Sequence, residues 1–220
     1  MSSFQPGLRA EKRRRTHSEI LANAISLFRE RGLRGARMSD IARASAVSPA
    51  TLFNYFPTKS ALAEAWVRGE VDLALTTMAS ELGERSLRSA LRGVCRQLAE
   101  SGLDERQLRL EAWREVGRAA LPPDDSDGLV QALKREQERE RVRADLPAWV
   151  LREMLREALE GGLIDGLRTD EAGDGSAGEV VRRLRVRVDL VLDGARKRNE
   201  RVAAPAASPR ADPSNPSRRG

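Results

Sequence analysis

The chain has 220 residues, 33% of them charged and 40% hydrophobic, with a formal net charge of +6. That length suits one large domain or two small ones, and the composition suits long helices with solvated faces; a compact β protein would carry more Val, Ile, Thr and Tyr. There is no run of about 18 apolar residues, so no membrane-spanning helix is expected, while a single cysteine (Cys95) and a single histidine (His17) exclude an internal disulfide and leave too few ligands for a Cys/His zinc site.

The first residues, MSSFQPGLRAEKRRR, hold no apolar stretch ahead of a cleavage site, so a cytoplasmic location is expected. Charge is unevenly spread. Residues 1–60 carry 11 Lys/Arg against 4 Asp/Glu, residues 61–195 carry 21 against 27, and residues 196–220 carry 7 against 2. A basic N-terminal segment on an acidic body points to a polyanion partner for that segment alone.

Residues 1–15, with the run RAEKRRR ending at Arg15, read as a basic flexible arm. Ile20, Ala24, Leu27 and Phe28 then recur at helical spacing, which predicts a first helix over about 16–31, with Gly32 free to take the left-handed position behind it. Met38, Ile41, Ala42 and Ser45 fit a short second helix. In the following stretch, SAVSPATLFNYFPTK (45–59), Ser48 is an N-cap and Pro49 a first-turn proline, while Pro57 forbids continuation. The third helix is therefore only about seven residues long. Thr58 caps a fourth helix running from near Lys59 to about Leu82. Helical patterns follow over about 86–101, 104–119, 127–144, 147–168 and 179–198, and residues 199–220, rich in Ala, Pro, Ser and Arg without a period, are expected to be disordered. No segment alternates as a strand, so the expected class is all-α.

Three short helices in about 45 residues, the last two joined by a tight turn, form a helix-turn-helix pattern, whose second helix enters the DNA major groove by its N-terminal residues. On the third helix Leu52 and Phe56, together with Val47, face Ile41 and Phe28 as core. Ser48, Pro49, Ala50, Thr51, Asn54 and Tyr55 are left for DNA, with Phe53 between the two sides. Thr51 suits a thymine methyl or a phosphate, Asn54 an adenine edge, and Tyr55 a phosphate or sugar. Lys59 brings a charge to the backbone beside a helix N-terminus. Singly, each of these has an equally good structural reading, Tyr55 as a half-buried core residue and Asn54 as a plain cap; together with the basic segment they favour DNA.

Residues 13–67 closely resemble the N-terminal domain of TetR-family transcriptional regulators. The shared pattern is Ile20-Leu21, Ala24, Leu27-Phe28, Gly32, Ile41-Ala42, Val47-Ser48, Thr51-Leu52-Phe53, Phe56 and Lys59. Two positions depart from it: Ala46 stands where the turn often has Gly, and Ala36 and Arg37 stand where a Thr often caps the second helix. Either Ser39 caps a shorter helix or Arg37 meets a phosphate without a cap. The resemblance implies an N-terminal DNA-binding domain (16–60) and a larger helical ligand-binding and dimerisation domain (61–198).

The same resemblance implies a homodimeric repressor released from a palindromic operator in double-stranded DNA by a small-molecule effector, with no cofactor and no metal. Candidates for the effector pocket are Cys95, Leu98, Leu110, Trp113, Val116, Gly117, Trp149 and Leu155. The apolar stripes of the last two helices, including Met154, Ala158, Leu159, Gly162, Leu184, Val188, Val191, Leu192 and Ala195, suit either half of a four-helix interface or the chain's own core. A ligand-independent DNA-binding protein would share the same front end. An enzyme is disfavoured by the lone His and Cys and by the lack of a Gly-rich phosphate loop.

Overall fold

The computed structural model describes residues 6–116, 127–168 and 176–195. Among them are nine helices: α1 (Pro6–Gly35), α2 (Met38–Ala44), α3 (Pro49–Tyr55), α4 (Lys59–Glu81), α5 (Leu87–Asp104), α6 (Arg106–Glu115), α7 (Gly128–Glu138), α8 (Ala148–Leu167) and α9 (Ala177–Ala195). None of the described helices is long and apolar enough to cross a membrane. The expected disordered segment 199–220 lies outside the described residues.

Side-chain oxygens start the helices where the sequence places them. Ser48 accepts from the Thr51 amide at 3.1 Å, Thr58 from Ala61 at 3.0 Å, and Asp127 from Leu129 and Val130. Each satisfies one or two of the donors that a helix leaves unpaired at its start. Ser39 caps nothing: α2 begins at Met38, and its N-cap, Arg37, makes no side-chain cap bond.

The largest difference in extent is at α1, which begins at Pro6 rather than Thr16. The segment expected as a flexible arm is helical from there. Arg, Lys, Glu and Ala are good helix formers, and Arg15 pairs with Glu19 one turn on. At the other end Gly32 takes a positive φ of 71°, where α1 kinks. The seventh helix ends at Glu138, six residues short of the periodic pattern. There Glu140 adopts φ 58°, Arg141 donates to the Glu136 carbonyl, and the Gln137 amide holds the carbonyls of Arg143 and Leu146, closing a tight turn.

The α2–α3 turn is a Schellman motif with alanine at the left-handed position. Ala46 has φ 52°, its amide donates to Arg43, and the Val47 amide donates to Ala42. A left-handed alanine costs about 1–2 kcal/mol, and glycine gives back part of that through its freer unfolded chain. Ala46→Gly should therefore raise unfolding stability by about 0.5–1 kcal/mol in a denaturant titration, with unchanged far-ultraviolet circular dichroism.

Two buried clusters organise the chain. One joins Ile20, Ala24, Phe28, Ile41, Leu52 and Phe56 with Leu62, Trp66, Ala112 and Trp113. The other joins Val71, Leu75 and Met78 with Leu91, Leu98, Leu133, Leu155, Leu159 and Leu184. Helix α4 contributes its first turns to one and its last turns to the other. Helix α6 packs with the N-terminal cluster, although its sequence lies well inside the later segment. Its position is held by polar contacts: Glu105 pairs with Arg29 of α1, Arg109 with Glu70 of α4, and Ser60 donates to Glu115 at 2.7 Å.

Candidate nucleic-acid interface

Helix α3 is seated on its inner side and open on its outer side. Leu52 and Phe56 are buried, whereas Ser48, Pro49, Ala50 and Asn54 are exposed. Thr51 is half-buried, and its hydroxyl lies 2.8 Å from that of Ser48. Phe53, ambiguous from sequence, is 49% exposed. Tyr55 is half-buried and packs against the N-terminal cluster, so its ring has a structural role besides any outward one.

The N-terminal extension of α1 runs beside α3, and the two flank an open groove of about 550 Å³. One wall is Arg9, Lys12, Arg13 and Thr16; the other is Val47, Thr51, Asn54 and Tyr55. The Arg13 guanidinium lies 6.0 Å from the centre of the Tyr55 ring. Arg15, in the same basic run, pairs with Glu19 and lines an adjoining surface with Leu8 and Glu11 that shares Lys12 and Thr16 with this groove. The residues beside α3 were legible once the helix is continued backwards: Arg9, Arg13 and Thr16 prolong the inward stripe of Ile20, Ala24 and Leu27 at spacings of four, three, four, four and three.

Lys59 is placed differently from expectation. Its ammonium donates to the carbonyls of Arg34 and Ala36, each at 3.2 Å. It ties the end of α1 and the α1–α2 connector to the start of α4, so two of its three donors serve the fold. Arg37 and Ser39 are exposed near the start of α2.

His17, the chain's one histidine, is half-buried between α1 and the end of α3, its ring 4.6 Å from that of Phe56 and 6.5 Å from that of Tyr55. Burial, and secondarily the charge of Arg13, lower its pKa from 6.5. The unfolded chain then binds more protons than the native one, so stability is fully present above pH 6.5 and falls as the pH drops through the lowered native value. His17→Phe should flatten the stability profile below pH 6.5 while leaving it elsewhere unchanged, as read by thermal midpoints across pH.

The described residues proposed for an effector pocket are divided between the two buried clusters and the surface. Cys95, Leu98 and Leu155 are buried in the second cluster, with Leu110 packed against it. Trp113 and Val116 belong with the N-terminal cluster because α6 packs there. Trp149 is 44% exposed, and Gly117 lies outside the described residues. Burial pushes the Cys95 thiol up to about 11, so it is an inert core residue.

Most residues named for a dimer interface are buried within the chain itself. Leu159, Leu184, Val188, Leu192 and Ala158 are buried, with Val191 packed against them. Gly162 sits against the Leu184 backbone. The cause is the close crossing of α8 and α9 within one chain. Met154 is the exception, exposed on α8; Ala195 ends α9.

Residues 20–66 match the family described as bacterial regulatory proteins, tetR family. The HTH-type transcriptional repressor KstR2 of Rhodococcus jostii is 28% identical over 155 residues, 68% of this chain and 66% of that protein, so the match spans just under two thirds of that relative's length. Among solved structures, Thermus thermophilus FadR, a TetR family repressor in complex with lauroyl-CoA, aligns with a TM-score of 0.58 at 22% identity, over 87% of this chain and 99% of that one. A TetR-family regulator from Pectobacterium atrosepticum gives a TM-score of 0.53 at 19% identity, over 84% and 96%. These structural likenesses are ones of fold. The family match falls on the helices that build the capped, outward-facing α3, and over residues 20–66 the chain is similar to the tetR family of bacterial regulatory proteins.

Proposed function

We propose that the protein is a DNA-binding transcriptional regulator, a homodimeric repressor that reads a palindromic operator and leaves it when a small molecule binds helices α4–α9. The observation that carries the reading is the groove in which the outward residues of α3 face the basic inner side of the α1 extension. Phosphate contacts set position and charge-dependent affinity, and base-edge contacts set sequence. Arg9, Lys12 and Arg13 suit the first task and Asn54 and Thr51 the second, with Ser48, Pro49, Ala50, Tyr55, Arg37 and Ser39 around them. Lys59 has one donor left for a phosphate. The description of the Rhodococcus relative as a repressor supports the direction of control.

A single helix-turn-helix reads few bases, and two-fold pairing doubles it. The surface suited to a second copy is the outward side of α8 and α9. Val150 and Met154 share one face of α8, and Val186 and Leu190, the latter 71% exposed, share one face of α9. Coupling between the two halves of the chain has a physical route in α4, which enters both clusters, and in α6, which packs into the N-terminal one.

Genome-wide mapping of bound sites would supply an operator, and fluorescence anisotropy on it tests the assignments. Lys12→Ala with Arg13→Ala should weaken binding to all sequences alike and flatten the slope of log affinity against log salt by about two. Asn54→Ala should change the preferred base at one position per half-site, with a cost of about 1–3 kcal/mol there. An unchanged salt slope, or an unchanged preference at every position, would remove those residues from the interface.

A further inference from the structure

At the end of the molecule far from α3, the α4–α5 turn, the α7–α8 turn and the last turns of α9 enclose an open cleft of about 500 Å³. That is within the usual size of small-molecule sites. Its floor is Leu87, Val142 and Leu192, each 7–9% exposed, at the margin of the core. The same three side chains also line a wholly apolar void, closed beneath by Leu133, Leu151 and Leu155. A single aliphatic layer therefore separates the cleft from the interior of the second cluster. The rim carries Arg85, Arg88 and Arg141 against Glu84 and Glu136.

These arginines are not equally committed. Arg88 is tied to Asp189 and Asp193 of α9. Arg85 reaches Glu81 through one terminal nitrogen, and Arg141 reaches Glu136 through one at a long 3.4 Å. Both are more than half exposed, at 57% and 58%, and a guanidinium has five N–H donors in a planar fork matched to carboxylate and phosphate. The Glu136 carboxylate is buried and also held by Arg139, so it does not compete for a ligand's head group as an exposed one would. No aromatic ring, amide or imidazole lines the cleft, and its one hydroxyl, on Ser86, accepts from the Ser89 amide as the cap of α5, so recognition falls mainly to charge and aliphatic shape.

We propose that this cleft binds an aliphatic amphiphile with an anionic head group, the head on Arg85 and Arg141 and the chain laid along Leu87, Val142 and Leu192. The proposal deepens the reading of α4–α9 as an effector-binding region and rests on it for any regulatory consequence, but binding itself is measurable without DNA. Nothing in the lining distinguishes a carboxylate from a phosphate head.

The test is calorimetric titration of the full chain with decanoate and decyl phosphate below their aggregation thresholds, beside decyltrimethylammonium and decanol of equal chain length. Saturable binding of at least one anion is expected, with the ammonium and the alcohol weaker by about tenfold or more, one charge-assisted contact being enough for such a factor. Arg85→Gln with Arg141→Gln should lower the anion's affinity by about tenfold or more, and Val142→Trp, which fills the floor, should abolish it. Circular dichroism of each variant establishes that it is folded. Should Val142→Trp fail to fold, Leu192→Met, which alters the floor conservatively, should still shift the preferred chain length. No saturable binding of either anion, equal binding of the ammonium amphiphile, or affinity indifferent to these substitutions would overturn the proposal. Binding here without any effect on operator affinity would leave the site in place and count against the effector reading instead.

Discussion

Gly166→Leu should lower the thermal midpoint by about 6–12 °C, whereas Gly69→Ala, in the same all-helical chain, should raise it by about 2–4 °C. The opposite signs follow from what surrounds the two glycines. A Cβ at Gly166 would come within 2.9 Å of both the Cα and a methyl of Val180, and one at Gly162 within 2.9 Å of the Leu184 Cα. The Cα atoms among those neighbours belong to the α9 backbone and cannot swing aside, so α8 and α9 would have to separate. Overpacking of that kind costs about 3 kcal/mol or more when a whole leucine is inserted, and in a chain of this size each kcal/mol moves the midpoint by about 2–4 °C. Gly69 has nothing within 4 Å of the position its Cβ would take. There an alanine gains only helix propensity, about 1 kcal/mol. Thermal melts of the two variants decide the matter. Equal shifts would mean that α8 and α9 are not in close contact at Gly166.

Arg156→Met should cost about 3 kcal/mol at neutral pH, with a smaller deficit in acid. Arg156 is buried and donates to Glu160 at 2.6 Å and to Glu153 at 3.0 Å. Around it Arg152 reaches Asp72 at 2.8 Å and Asp127 at 3.2 Å, while Arg68 lies 3.6 Å from Glu160. Burial raises the pKa of Glu160 from 4.5 in spite of the arginines that pull it down. Removing Arg156 takes away the strongest of those pulls and raises the native value further. A carboxyl raised in the native state contributes stability below its unfolded pKa of 4.5 and loses it as pH rises through the native value. The variant's deficit should therefore shrink between pH 7 and pH 5. Adding Glu160→Gln should recover much of it, since the loss comes from an uncompensated buried charge rather than from the absent contact. Urea titrations of both variants at the two pH values give the answer; a deficit identical at both would exclude Glu160 as the stranded charge.

Local chemistry was legible in the sequence to the residue. Ser48, Pro49 and Pro57 delimit α3, Thr58 caps α4, and Gly32 takes the positive φ, because caps, prolines and glycines act on neighbours within a few bonds. Leu52 and Phe56 followed from helical spacing. The start of α1 was missed because a charged run has no apolar period to announce a helix, although Arg, Lys and Glu form helices well. The left-handed Ala46 was foreseeable only as a departure whose cost depends on the backbone, and the backbone now shows φ 52°.

What the sequence determined by itself is therefore the helical class, the short capped α3 and the outward placement of Ser48, Pro49, Ala50 and Asn54. What only the tertiary structure decided is which surface each stripe meets. Lys59 turns to the carbonyls of Arg34 and Ala36, Trp113 joins the N-terminal cluster, and Leu159, Leu184 and Val188 are buried where α8 meets α9. The physical reason is that burial is non-directional: an apolar stripe demands a cover but does not specify it. The cover is chosen by which helices approach closely enough, and here that choice was made by Gly162 and Gly166, where α9 reaches the backbone of α8.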